Sequence, residues 1–421
     1  MPKLRTVCLS NAFPPDSRCG AFAAATFSAI ENLARSRGWV LRRFCGKFDG
    51  AAAQEDFSPI LSRIDGDSAD AKLWRGYRML SSNSVATAEK VATMARRGNA
   101  FLILNPSGLS TQEWMLALAQ AQTAIPWVDS DWPRNYPACD PFWTLALKHR
   151  HSLSPATLIA SALIRSLYGE VRPHPENFCC VRTAIFATEN LRERNASAFP
   201  NLERSAVIPP PVDPALFPFE ETSPERACVW GWNGGFSENS GILVALDTFA
   251  RHAFSNPQMH MLLAGNPDSD EAEKLRSRIQ AVPGLAQRIS FVGEIPRERL
   301  AQDFFRRVGL YVFIPKDETA FPLEAAEAMA CGCLVFASMT DELRNLVSTD
   351  TPTLFNARAP ETARMMSDLI VRMSPEEWAL TAADGAARVQ ERFAPARIET
   401  TLAEFLESAA VFPPSEPAPQ E

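Results

Sequence analysis

The sequence predicts an α/β protein built from two doubly wound domains. Short, continuous apolar runs alternate with helical periodicity along nearly the whole chain, the pattern of parallel sheets covered by helices on both faces. The 421 residues are 46% apolar, enough for two cores of about 200 residues each. Near the middle, Pro209-Pro210-Pro211 can continue neither a strand nor a helix and reads as a stiff connector between the halves.

The first half opens with a strand over Arg5 to Phe13, a loop Pro14-Pro15-Asp16-Ser17-Arg18-Cys19-Gly20, and a helix over Ala21 to Arg37. That helix carries Phe22, Ala25, Ile30, Leu33 and Ala34 on one 3.6-period face. With a strand at Val40 to Phe44 it makes a mononucleotide-type βαβ opening, although Gly-x-Gly-x-x-Gly is absent, which disfavours a nicotinamide-dependent enzyme. Lys72 to Leu80 fits either a helix or a loop flap. Thr87 to Arg97 and Ser110 to Thr123 predict helices, with strands at Ala100 to Leu104 and Ile125 to Val128. Asp129-Ser130-Asp131-Trp132 follows the latter strand, either as a polar site or as a cap on the next helix. Pro155 to Leu167 reads as a helix and Thr183 to Ala187 as a strand. Thr188-Glu189-Asn190 opens another helix, and Ala206 to Ile208 is the last strand of this half.

The second half opens with a strand at Ala227 to Trp230 and a turn containing Gly234, Gly235 and Gly241, where backbone can approach a phosphate closely. Helices over Ile242 to Ala253 and Asp270 to Gln280 alternate with strands at His260 to Ala264, ending in Gly265, and Ile289 to Val292, ending in Gly293-Glu294-Ile295. A helix over Leu300 to Arg307 leads into GLYVFIPKDETAFPLEAAEAMACGCLVFAS, residues 309 to 338. Leu310 to Ile314 is a buried strand, Lys316 to Phe321 a loop, Leu323 to Ala330 a helix after Pro322, and Cys333 to Ala337 a second strand. Glu361 to Met373, Pro375 to Arg392 and Ala396 to Ala409 predict three more helices, and Val411 to Glu421 a Pro-rich, acidic, disordered tail.

The start of the Leu323 helix is where chemistry concentrates. Free N–H groups and the helix dipole favour an anion there, a diphosphate for instance. Glu324 and Glu327, three apart, lie on one side of it. Either they are solvated residues favouring the dipole, or one of them accepts hydrogen bonds from ribose hydroxyls. A net charge of −7 with both signs interspersed argues against nucleic acid as the partner. Nine cysteines, none at Cys-x-x-Cys spacing, read as free buried thiols of a reducing compartment, without a zinc site. No run of 18 apolar residues and no leader-like apolar stretch is present, so the expectation is a cytoplasmic protein.

FPLEAAEAMACGCLVFAS resembles the C-terminal signature of the retaining GT-B glycosyltransferases of the "glycosyl transferases group 1" class, which are glycosyltransferase family 4-like. Phe321, Glu327 and Gly332 match that pattern. The family's other Glu, eight residues before Glu327, falls on Thr319 with Glu318 beside it, so Glu318 and Thr319 are the catalytic candidates in this motif. The Pro-Pro loop is also similar, with Gly20 at the family's second Gly and Cys19 in place of the first. Val-Ile-Pro-Pro-Pro-Val-Asp matches the interdomain hinge, and either Asp129 or Asp131, the latter the catalytic candidate here, takes the place of a polar residue facing the acceptor. The resemblance implies a GT-B fold of two Rossmann-like domains facing across a donor cleft. The boundaries it implies are residues 1–208 and 209–392, a helix over 393–410 crossing back to the first domain, and a tail over 411–421.

The implied activity is transfer of a sugar from a nucleotide-sugar donor to a glycan, lipid or protein acceptor with retention of configuration, with no cofactor and no metal and with peripheral membrane contact left open. The donor-binding residues so implied are Gly20, Gly234, Gly235, Gly265, Gly293, Glu294, Ile295, Lys316, Phe321, Pro322, Leu323 and Glu327. Family members balance the diphosphate with an Arg and a Lys in the turn after the first strand of the second domain. Here no Lys or Arg lies between Arg226 and Arg251. Either backbone N–H groups, with Arg18 or Lys316, replace the clamp, or the fold persists as a catalytically degenerate sugar-, nucleotide- or partner-binding module.

Overall fold

The computed structural model describes residues 5–10, 21–45, 100–104, 123–131, 178, 180–254, 256–316, 320–347 and 353–409. The chain divides into two compact units, Met1–Pro209 with Glu399–Glu421, and Pro210–Ile398.

The first unit is built on six parallel strands: β1 (Arg5–Ser10), β2 (Val40–Cys45), β3 (Ala100–Ile103), β4 (Ala124–Val128), β5 (Thr183–Phe186) and β6 (Arg204–Val207). Their order is β2-β1-β3-β4-β5-β6. Every side chain of β3, β4 and β5 is buried, as expected for central strands covered on both faces. Pro126 stands inside β4, where a missing N–H would normally break the ladder; it pairs with Ile103, the last residue of β3. The helix Ala21–Arg37 buries Phe22, Phe27, Ile30 and Leu33. It ends at Gly38, whose φ of 64° only glycine adopts without cost. From Glu399 onward the last helix, Pro395–Ala409, belongs to this unit. There Asn32 donates to Glu399 (3.0 Å) and Arg37 pairs with Glu407 (3.3 Å).

The second unit carries β7 (Val229–Asn233), β8 (His260–Ala264), β9 (Ile289–Gly293), β10 (Leu310–Phe313), β11 (Leu334–Ser338) and β12 (Leu354–Phe355). The order is β12-β11-β10-β7-β8-β9, all parallel. The chain runs outward one way through β8 and β9, then returns past β7 and runs outward the other way. β7 and β10 therefore flank a topological switch point, the place where doubly wound sheets bind ligands at their carboxyl ends. On one face Trp230, Trp232, Leu310 and Val312 pack with Phe249, Leu275 and Met366. On the other, Gly231 leaves room for Phe304 and Val308, which a Cβ would meet at 3.0 and 2.7 Å.

One buried cation holds this unit together. Arg226 donates to the carbonyls of Glu220, Phe305, Val308 and Cys331 and to the sulfur of Cys333. Its donors are thus spent on fixed acceptors, which makes burial of a guanidinium tolerable.

Several boundaries differ from the expectations. The strand predicted from Ala227 begins at Val229, because Ser223 caps a short helix, Pro224–Ala227, with Pro224 in its first turn. The helix predicted at Leu300 begins at Arg297, directly after Pro296, and passes into a 3₁₀ turn over Phe305–Arg307. Thr188 opens its helix as expected, as the cap that accepts from the Leu191 N–H. The cysteines are not uniformly buried: Cys331 and Cys333 are, with both thiols pushed up by burial, but Cys180 is exposed and Cys228 half-buried. Among the described residues no helix is long and apolar enough to cross a membrane.

Candidate functional site

Three strands of the second unit end in glycines whose backbones adopt positive φ: Gly234 after β7 (140°), Gly265 after β8 (152°) and Gly293 closing β9 (80°). They are stitched into a rim. The Gly234 N–H donates to Ala264 and the Gly265 N–H to Gly293, each at 3.0 Å. A Cβ on Gly265 would lie 2.4 Å from the Gly234 carbonyl, so this close approach of two turns requires glycine. Gly234 and Gly235 are exposed, and a Cβ on either would meet nothing within 4 Å. The Gly234 N–H is consumed within the rim, and among the described residues the Gly235 N–H has no acceptor. Of the two residues following Gly293, Glu294 is exposed and Ile295 half-buried.

The loops after β7 and β10 pack on each other at the switch point. Gly241, at φ 86°, opens the helix Ile242–Ala253, and a Cβ there would come within 1.9 Å of the Ile314 carbonyl oxygen. The Lys316 N–H donates to the Asn239 carbonyl (2.9 Å), and the Lys316 ammonium pairs with Glu238 at 2.8 Å. The Lys316 carbonyl accepts from Arg358 (3.0 Å). Lys316 thus stands on the switch-point loops with its charge already matched. Beneath it the Tyr311 hydroxyl donates to the Asn233 carbonyl at the end of β7 (3.3 Å), and burial pushes that hydroxyl well up from its ordinary titration range.

Phe321, Pro322 and Leu323 are buried at the start of the helix Leu323–Ala330, with Phe321 set edge-on against Phe393. Glu324 and Glu327 share one side of this helix but are not solvated residues. Glu324 is half-buried, and burial raises its carboxyl. Glu327 is fully buried, and its Oε1 accepts from both Nε (2.8 Å) and Nη2 (2.7 Å) of Arg297. Its Oε2 is shut off from water and has no hydrogen-bond partner. Burial drives its carboxyl up to about 7; the Arg297 charge opposes that and the Glu324 charge adds to it. Arg297 itself lies over the Phe217 ring, 5.1 Å from its centroid. Sequence reading missed Arg297. The only available signal was its place at a helix start on the carboxyl side of β9.

In the first unit Asp131 follows β4, and its carboxylate is committed. Arg194 approaches it at 3.0 and 3.1 Å, and Asn195 donates to it at 3.3 Å. Both partners end the helix Glu189–Asn195 that follows β5. The contact ties the carboxyl ends of two neighbouring strands together, and Asp131 retains 24% exposure. Asp131→Asn should therefore lower the unfolding midpoint by an amount equivalent to about 1 kcal/mol, the reduced value of a partly exposed charge-assisted bond. Thermal unfolding followed by circular dichroism checks this; an unchanged midpoint would show the tie contributes nothing. Gly20, Glu318 and Thr319 lie outside the described residues, as does Trp132. No group of acidic, His and Cys side chains suited to a metal ion occurs among the described residues.

Residues 227–372 match the family model "Glycosyl transferases group 1", a span that runs from before β7 to the helix after β12 and contains the whole switch point. No curated protein matches the chain in sequence. Among solved structures, HepE of Anabaena in complex with UDP and glucose superposes with a TM-score of 0.60 at 16% identity, over 96% of this chain and 100% of that one. Sucrose-phosphate synthase of Thermosynechococcus elongatus gives 0.64 at 15% identity, over 96% and 99%. The UDP-forming α,α-trehalose-phosphate synthase of Burkholderia vietnamiensis gives 0.61 at 14%, over 97% and 98%. The fold is thus that of the GT-B glycosyltransferases: α/β, with two doubly wound parallel sheets.

Proposed function

We propose that the chain is a glycosyltransferase that moves a sugar from a nucleotide-sugar donor to an acceptor with retention of configuration. The observation that carries this reading is the switch point itself. A glycine rim, an open Gly235 N–H, two helix starts and Lys316 gather at the carboxyl ends of β7 and β10, inside the segment matched by the family model. That is where a doubly wound sheet takes a nucleotide. HepE, which shares the fold, is solved in complex with UDP and glucose, which makes UDP the natural probe.

The nucleoside lies along the rim from Gly265 to Ile295, and Glu327 accepts from the ribose. The diphosphate faces the Gly235 N–H, the start of the helix Leu323–Ala330 and Lys316. Departure of the diphosphate breaks the anomeric C–O bond. The acceptor hydroxyl attacks from the same face, and its proton passes to the leaving phosphate oxygen. The protein's part is to align the two substrates and to stabilise the charge that develops on the diphosphate. No cofactor beyond the nucleotide sugar is called for.

Calorimetry with UDP and the Gly235→Val and Lys316→Ala variants tests this. Gly235→Val adds bulk to an exposed position with open space around it, so unfolding should be unchanged while UDP binding is lost. Lys316→Ala removes one charged contact that Glu238 already competes for, so affinity should fall about tenfold. Wild-type protein that binds no nucleoside diphosphate at millimolar concentration would overturn the enzyme reading. It would leave a binding module of the same fold, which the Glu238–Lys316 pairing and the absence of Lys or Arg between Arg226 and Arg251 would then explain.

A further inference from the structure

We propose that Arg297 is a positioning residue for the nucleotide: it takes Oε1 of Glu327 with two of its N–H groups and thereby reserves Oε2 for the hydroxyls of the ligand. The inference rests on the nucleotide reading of this site, and it begins from an imbalance in the pair. A guanidinium and a carboxylate that serve only each other usually meet fork to fork, with both oxygens engaged. Here both contacts fall on one oxygen, and the other is buried without a partner. A buried carboxylate oxygen left in that condition is costly, and such groups concentrate at functional sites.

Among the described residues nothing fills the gap. Glu324, on the same helix, carries the same charge. The Tyr311 hydroxyl, on β10, is spent on the Asn233 carbonyl. Cys331, past the helix end, feels the Glu327 charge only as a repulsion that raises its own thiol. Oε2 is closed in this structure, so a ligand hydroxyl reaches it only when the groups covering it move aside, and it then meets an acceptor with no protein donor to displace. Arg297 suits the positioning role because its plane is braced on Phe217. A flexible point charge would hold neither the carboxylate's rotamer nor the choice of oxygen. The pair also joins the first residue of the helix after β9 to the second turn of the helix after β10.

UDP binding by the full chain, measured calorimetrically from pH 6 to pH 9, tests the assignment on wild type, Arg297→Lys and Arg297→Met. Arg297→Met should weaken UDP about tenfold at pH 8, the loss expected when one charged hydrogen bond is disordered. Because the Arg297 charge favours the ionised carboxylate, its removal should also move the pH of half-maximal affinity upward. Arg297→Lys should restore that pH toward the wild-type value while recovering only part of the affinity. A purely structural pair would lower the unfolding midpoint and leave both the affinity and the pH profile of the folded variants unchanged; that result overturns the proposal. If Arg297→Met does not fold, undiminished wild-type affinity in Arg297→Lys overturns it equally. Wild-type protein that binds no nucleoside diphosphate overturns the nucleotide reading, and this inference with it, whatever the variants do.

Discussion

Gly241→Ala should destabilise the second unit by about 2–5 kcal/mol and abolish measurable UDP affinity, although the added group is a single methyl. Two costs combine. An L-residue at φ 86° is strained, and the new Cβ would sit 1.9 Å from the Ile314 carbonyl oxygen, a backbone atom with no rotamer to change. Relief requires the loop after β10 to move away from the loop after β7. The same movement breaks the Lys316–Asn239 hydrogen bond and displaces Lys316 from the switch point. Denaturant unfolding of the full chain checks the first part, read as the midpoint of the affected transition because a chain of two units need not unfold in one step. Calorimetry with UDP checks the second. A variant that unfolds with the wild-type midpoint would show that the two loops are not packed as described. The contrast with Gly235→Val is the sharper measurement. That larger substitution, six residues earlier, should cost binding without stability, because the space beside Gly235 is open.

The difference between those two glycines marks the limit of what the sequence discloses. Gly234, Gly235 and Gly241 stand in one turn after one strand, and composition treats them alike. What separates them is the Ile314 carbonyl, 73 residues beyond Gly241, and no local pattern encodes that approach. The strands were readable because burial on both faces writes itself as continuous apolar runs, as in β8, β10 and β11. The helix at Leu323 was readable from its formers and from Pro322. Strand order was not readable, and it is the order that makes β7 and β10 neighbours and so identifies the switch point. The motif drew attention to Glu327, but its partner comes from another helix, 30 residues away. A similar distance hid the partners of Asp131, which lie 63 and 64 residues on. Nor does Lys316 in the sequence reveal that Glu238 already holds it, since the ion pair exists only once β7 and β10 lie side by side.

Glu327→Gln should change stability and binding in opposite directions, and the pH at which this is measured decides the size of the first effect. Burial raises the carboxyl from near 4.5 to about 7, so the folded chain holds that proton more tightly than the unfolded chain. The group's contribution to stability is therefore greatest at low pH and is lost as pH rises from about 4.5 through 7. By pH 8 wild type carries the full cost of a buried, half-paired carboxylate. Glutamine has the same shape, carries no charge, and can still offer its carbonyl oxygen to Arg297. The stability of Glu327→Gln relative to wild type should accordingly increase between pH 5 and pH 8, as followed by denaturant midpoints at each pH. Binding should move the other way. The amide places an NH₂ donor where Oε2 stood, and a donor cannot accept from a ribose hydroxyl. UDP affinity at pH 8 should fall about ten- to hundredfold, the loss expected when a charged acceptor of about 1.5–3 kcal/mol is removed. Wild-type affinity should itself climb as pH passes through 7 and level off above it, and that climb should vanish in the variant. A variant equally destabilised at pH 5 and pH 8 would show that Glu327 is not held above its ordinary range. Undiminished UDP binding would show that Oε2 is sealed within the core. A position where a neutral residue folds better yet binds worse is one whose charge is kept for the ligand at the expense of the fold.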